Sequence, residues 1–134
     1  MAYGSVGDSR IYLIRGEAIL QLTRDDSWLN LAWDAGEAGT LDNSTRASMK
    51  NVLTKALGSG QDVDVEIADH KLNDHDTVLL CSDGLTNMLS DQQILDIVSS
   101  GGSDLERSGR ALITAANEAG GRDNISAVVV RYTR

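Results

Sequence analysis

Thr77-Val78-Leu79-Leu80-Cys81-Ser82-Asp83-Gly84 is the stretch on which the fold turns. Residues 77–81 form a near-continuous apolar run of strand length. Turn residues bound it on both sides, Asn73-Asp74-His75-Asp76 before and Ser82-Asp83-Gly84 after. Such a run predicts a central strand buried on both faces, because a strand with one wet face alternates apolar and polar residues.

Upstream, Val63, Val65 and Ile67 alternate with Asp62, Asp64 and Glu66, which predicts a half-exposed strand. Met49, Val52, Leu53, Ala56 and Leu57 follow helical spacing, with Gly58 as the stop, and predict an amphipathic helix. Before them lies a polar, acidic excursion, Arg24 to Thr45, holding a short helix from Trp28 to Gly36. At the start, residues 2–7 read as a strand weakened by glycine. Residues 10–15 and 18–23 read as two strands joined by Gly16-Glu17, a type II′ hairpin signal. Downstream, Ser90 with Gln93 and Ser103 with Glu106 are capping boxes that open helices ending near Ser99 and Ala119. Ile125 to Tyr132 is a last strand around Val128-Val129-Val130. The order predicts an α+β fold with a largely antiparallel sheet, not alternating βαβ units.

The chain has 134 residues, which suits one domain at roughly 100–200 residues each. Its 41% hydrophobic content is too high for a disordered chain. Twenty acidic against twelve basic side chains give a charge of −8, which argues against a partner that is nucleic acid or an anionic membrane. The acid is spread evenly, so no charged tail stands out. Cys81 is the single cysteine, so an intrachain disulfide framework is excluded. Apolar runs are too short for a membrane span, and residues 1–10 do not read as a secretion signal, so a cytoplasmic location is expected.

Three aspartates fall at strand ends: Asp8 after the first strand, Asp83 after the central one, Asp123 before the last. If the central and last strands pair antiparallel, Asp83 and Asp123 meet at one end of the sheet. Clustered carboxylates repel unless protonated or bound to a cation, and hard Mg²⁺ or Mn²⁺ suits oxygen donors. Taken singly, each aspartate reads as a turn residue.

Five motifs in order alter that balance: Val6-Gly7-Asp8-Ser9-Arg10; Leu22-Thr23-Arg24-Asp25-Asp26-Ser27; Asn51-Val52-Leu53-Thr54-Lys55-Ala56-Leu57-Gly58; Leu79-Leu80-Cys81-Ser82-Asp83-Gly84-Leu85; and Gly120-Gly121-Arg122-Asp123-Asn124-Ile125. Together they resemble the metal-dependent serine/threonine protein phosphatases of the PP2C (PPM) family. The resemblance implies an antiparallel β-sandwich flanked by helices, with metals in the cleft between the sheets. It implies hydrolysis of phosphoserine and phosphothreonine in proteins by water held on two Mg²⁺ or Mn²⁺ ions, with no covalent phosphoenzyme. By motif match, Asp83 and Asp123 are metal ligands that act in catalysis through the metal-bound water. Asp8 matches an aspartate that shares a third ion with Asp83. Gly84 and Asn124 lie near the site, and residues from about Asp25 to Asn51 match a flap beside it. Asp26 stands where many members have histidine.

The resemblance also implies what is not seen. The family domain is about twice this length. Its first half carries an Asp-Gly-x-Gly-Gly motif with a bridging metal ligand, a second acidic ligand and a phosphate-binding arginine, none of which is matched here. The chain thus resembles the C-terminal half of a single PP2C domain, incomplete at its N-terminus. Open strand edges then predict pairing, as a homodimer or with the missing half. Metal binding is expected to be weak or partial and the chain inactive alone. The alternative is a non-catalytic PP2C-like binding or regulatory module.

Other features read more simply. Cys81 reads as a buried structural thiol. His70 and His75 read as part of a solvated turn, ahead of a surface zinc site. Trp28 and Trp33 read as packing within the flap, and Gly58-Ser59-Gly60 lacks the Lys-Ser/Thr of a nucleotide loop.

Overall fold

The structure is a computed structural model that describes residues 1–49, 52–55, 63 and 65–134. In chain order the elements are β1 (Ala2–Ser5), β2 (Arg10–Arg15), β3 (Ala18–Gln21), α1 (Trp28–Asp34), a 3₁₀ turn (Ala38–Thr40), α2 (Asn43–Met49), β4 (Glu66–Asp69), β5 (Thr77–Cys81), α3 (Asp83–Thr86), α4 (Asp91–Ser100), α5 (Leu105–Glu118) and β6 (Ala127–Arg131).

Four strands form one antiparallel sheet in the order β3-β2-β5-β6, and β1 pairs with β4 in a second, two-stranded sheet. The 77–81 run is indeed interior, with Leu79 opposite Tyr12 on one side and Val129 on the other. The hairpin forms with Arg15 opposite Ala18 across a two-residue loop. Gly16 has φ +59° while Glu17 stays negative, which fits a type II′ turn rather than type I′.

Pleating splits β2 and β5 between two faces. Tyr12, Ile14, Leu79 and Cys81 pack beneath α3, α4 and α5, against Leu85, Ile94, Val98, Leu112 and Ala116. On the other face Ile11, Leu13 and Val78 pack under Tyr3, Leu22 and Leu72. The layers are therefore a small sheet, a larger sheet and helices, all held by alternate residues of the same two strands.

Some sequence expectations are corrected. Leu80 is 40% exposed, so β5 is not buried throughout. It shares a face with Val128 and Val130, and the two-stranded sheet is too narrow to cover all three. The first strand ends at Ser5, and β3 ends at Gln21 because Thr23 turns its hydroxyl back to accept from Ile11 N–H. β4 begins at Glu66, later than the alternation from Val63 suggests. The helix expected over 49–57 does not form at 52–55. There Leu53 bridges Ser27, Trp28 N–H donates to Val52 O at 2.8 Å and Thr54 N–H donates to Asp26 O at 2.8 Å, so this backbone is tied to residues 26–28 instead. Its end at Ala56–Gly58 lies outside the described residues, as do Gly58-Ser59-Gly60 and Asp62 and Asp64.

The helix of this region is α2 instead, which Asp42 opens by accepting from Ser44 N–H and Thr45 N–H. The Ser90–Gln93 capping box forms as expected. At α5 the cap is Asp104, whose carboxylate accepts from Arg107 N–H, and not Ser103. A carboxylate is the stronger acceptor for an N-terminal amide, and it complements the helix dipole. The turn at 73–76 is closed by Asp76, which accepts from Asn73 N–H and from the Arg15 guanidinium.

Candidate metal centre

The antiparallel register sets the site. Cys81 lies opposite Ala127, so the chain leaving β5 meets the chain entering β6. Ser82 locks the two together. Its N–H donates to Ser126 O, and its hydroxyl accepts from Ser126 N–H at 3.0 Å and donates to Asn124 O at 3.2 Å. Gly84 completes the approach. A Cβ there would sit 2.2 Å from Asn124 O, so only glycine lets the 123–125 backbone lie so close behind Asp83. Asn124 therefore contributes its backbone to the site's frame, as Gly84 does.

Asp8, Asp83 and Asp123 line one cleft of about 640 Å³, with Leu53, Gly84, Asn87, Met88 and Arg122 completing the wall. Each carboxylate comes from a different loop. Asp83 opens α3, where its Oδ2 accepts from the Asn87 side chain at 3.2 Å. Asp123 stands four residues before β6 rather than at its first residue, and its Oδ1 accepts from Asn124 N–H at 2.7 Å. Asp8 follows β1 on a loop that bends at Gly7, φ +99°. Burial pushes the pKa of Asp8 above its ordinary value, and the negative charge of Asp83 pushes it further.

None of the three carboxylates has an ion pair among the described residues. Unpaired carboxylates sharing a cleft are a hard-cation donor set, and a bound cation would remove the repulsion that Asp8 feels from Asp83. The donors fit such an ion in kind. They do not yet close a cage: among the described residues, no three Asp, Glu, His or Cys side chains are gathered tightly enough to hold a metal unaided.

Sequence reasoning did not anticipate Arg122, Leu53, Asn87 or Met88 in this wall. Arg122 adjoins a motif aspartate and was legible by position alone. Leu53 reaches the cleft because residues 52–55 are tied to residues 26–28, a contact that no local pattern signals. Asn87 sits four residues after Asp83, the spacing of neighbours on a helix face. Residues 25–49, expected to lie in a flap, carry α1, the 3₁₀ turn and α2, and their start is tied to residues 52–54 beside the cleft. Neither histidine is among the described residues that line this cleft; the His75 ring faces Asp74 on the surface.

Comparison with known proteins bears on the fold and the family. Residues 63–125 match the family Protein phosphatase 2C. The chain is 41% identical over 128 residues to protein phosphatase PhpP of Streptococcus pneumoniae, covering 96% of this chain and 51% of that one. Among solved structures it resembles the S. agalactiae serine/threonine phosphatase, with TM-score 0.86 and 36% identity over 99% of this chain and 54% of that one. It also resembles the catalytic domain of serine/threonine protein phosphatase PstP in complex with two manganese ions. There the TM-score is 0.78 and the identity 31%, over 96% of this chain and 51% of the other. The fold and the ordered motifs are those of a PP2C-type phosphatase chain. The protein belongs to the protein phosphatase 2C family, and it spans about half the length of the curated relatives it matches.

Proposed function

We propose that this chain is the C-terminal part of a metal-dependent protein phosphatase domain that hydrolyses phosphoserine and phosphothreonine in proteins. The observation that carries the reading is the convergence of Asp8, Asp83 and Asp123, from three separate loops, on one cleft of a chain with PP2C-family sequence.

In this reading Asp83 and Asp123 offer oxygens to a Mg²⁺ or Mn²⁺ centre, and Asp8 with Asp83 offers oxygens to a further ion. When bound, such ions acidify water and neutralise phosphoryl charge. Asn87 holds Asp83 by one oxygen and leaves the other free to bind. Gly84 and Ser82 keep the Asp83 and Asp123 loops in contact. Arg122, with no ion pair among the described residues, offers the cleft a cation for the substrate phosphate. The remaining donors would come from polypeptide beyond these 134 residues, paired with this chain, or from a second copy. The exposed side chains of Leu80, Val128 and Val130 support such a pairing. A cytoplasmic setting belongs to the same reading.

The second reading, a non-catalytic PP2C-like binding module, is favoured by one observation. The described carboxylates do not close a metal cage by themselves. Hydrolysis of para-nitrophenyl phosphate with and without Mn²⁺, for the chain and for Asp83→Ala, separates the two. Manganese-dependent turnover lost in the variant supports the phosphatase. Saturating Mn²⁺ without turnover, alone or with the remaining half of a relative's domain added, supports the module.

A further inference from the structure

We infer that Asp26 is a positioning residue that fixes the Asp8 loop and the cleft wall at Leu53 as one unit. The inference rests on the metal-site reading above.

Asp26 joins two segments that are otherwise separate in sequence. Toward the first, its Oδ2 accepts from Gly7 N–H at 3.1 Å, and its own N–H donates to Gly7 O at 2.8 Å. Gly7 is the residue immediately before Asp8. Toward the second, Asp26 O accepts from Thr54 N–H at 2.8 Å, and its Oδ1 faces Lys55 Nζ at 3.6 Å. Thr54 follows Leu53, which lines the carboxylate cleft.

Asp26 can act as a fixed post because its neighbour is anchored in the sheet. Asp25 takes a two-pronged contact from Arg10 of β2, at 2.9 Å to Oδ1 and 2.6 Å to Oδ2. Gln21 donates to the same carboxylate, and Asn30 donates to Asp25 O. The Arg10 guanidinium is itself fixed by the Tyr12 hydroxyl, which in turn donates to Asp91 of α4. The sheet therefore holds Asp25, and Asp26 passes that position on to Gly7 and Thr54. Loops carrying metal ligands need such support, since a ligand misplaced by an ångström binds poorly. An ion held by Asp8 would thus steady Thr54 through Asp26.

Amide exchange measured by NMR, with Mg²⁺ as the probe, tests this. In the wild-type chain, saturating Mg²⁺ is expected to shift the Asp83 amide and to slow exchange at Gly7 and Thr54 together, each at least threefold. Asp26→Ala keeps the two backbone bonds and removes the Oδ2 bond to Gly7 N–H, so Mg²⁺ still shifts Asp83, the Thr54 response falls at least threefold and the Mg²⁺ midpoint rises several-fold. Asp26→Asn keeps an oxygen for Gly7 N–H and is expected to keep the Thr54 response within twofold, which guards against a folding defect in the alanine variant. Lys55→Met removes only an ion pair with solvent on both sides and should change little. A Thr54 response of undiminished size in Asp26→Ala overturns the inference and leaves the metal site standing. A wild-type Asp83 amide that ignores Mg²⁺ overturns the metal-site reading and the inference together.

Discussion

Gly84→Ala offers a sharp test of how the two central aspartate loops are held together. Gly84 is buried within α3, one residue after Asp83. In an open helix, Gly→Ala stabilises by roughly 0.5–1 kcal/mol, because glycine loses more backbone entropy on folding. Here the new Cβ would lie 2.2 Å from Asn124 O and 3.0 Å from Asn124 C, both backbone atoms. The 123–125 strand entry would have to retreat by about 1 Å to restore ordinary contact, against the Ser82 bonds that hold it. Overpacking of this kind costs about 1–3 kcal/mol. The clash therefore outweighs the entropic gain, and a net loss of about 1–2 kcal/mol is expected. Gly109 in α5 is the matched control, since a Cβ there meets nothing within 4 Å. Urea unfolding should show Gly84→Ala falling by about 0.5–1 M in midpoint, for a slope near 2 kcal/mol per M. Gly109→Ala should rise by a few tenths of 1 M on the same slope. Equal or greater stability of Gly84→Ala would refute the close packing of the Asp83 and Asp123 loops, and with it the account of why they share a cleft.

Three further outcomes are expected. Ser90→Ala removes a formed capping box at α4 and should cost about 1 kcal/mol in urea unfolding, with Gln93→Ala costing less. Asp76 is buried against Arg15, whose hydrogen bonds hold its pKa below the ordinary value. Its ionised form therefore contributes full stability above the unfolded pKa, near 3.9, and loses it as pH falls through the folded value. Asp76→Asn should lower Tm at pH 7 by roughly 5 °C or more, and the gap from wild type should close toward pH 2. Burial pushes the Cys81 thiol up to about 11, so native protein at pH 8 should resist a thiol reagent that labels it fully in urea. Rapid native labelling would place Cys81 outside the core.

Much of the fold was legible because its strands carry their own period. The 77–81 run, the Gly16-Glu17 hairpin and the Ser90 capping box each state a local preference that packing then agrees with. Where the reading failed, a longer-range partner won. Val52 and Leu53 have helical spacing with Met49, yet their backbone is taken by residues 26–28, and the helix forms earlier where Asp42 caps it. Ser103 has box spacing, but Asp104 beside it is the better acceptor. Leu80 sits in a run that reads as buried, but exposure depends on the width of the opposing sheet, which no residue in the run reports.

The site divides in the same way. Asp8, Asp83 and Asp123 could be named from strand-end position and motif order, since both are written along the chain. Only the tertiary structure decided that they face one cleft, that Gly84 sets the distance between two of their loops, and that Arg122 and Leu53 share the wall. The sequence determines periods, caps and turns because these depend on neighbours within about four residues. Which loops converge depends on strand register and loop-to-loop hydrogen bonds between residues far apart in the chain. Cys81 opposite Ala127 and Asp26 against Gly7 are such pairings, and they exist only once the sheet has formed.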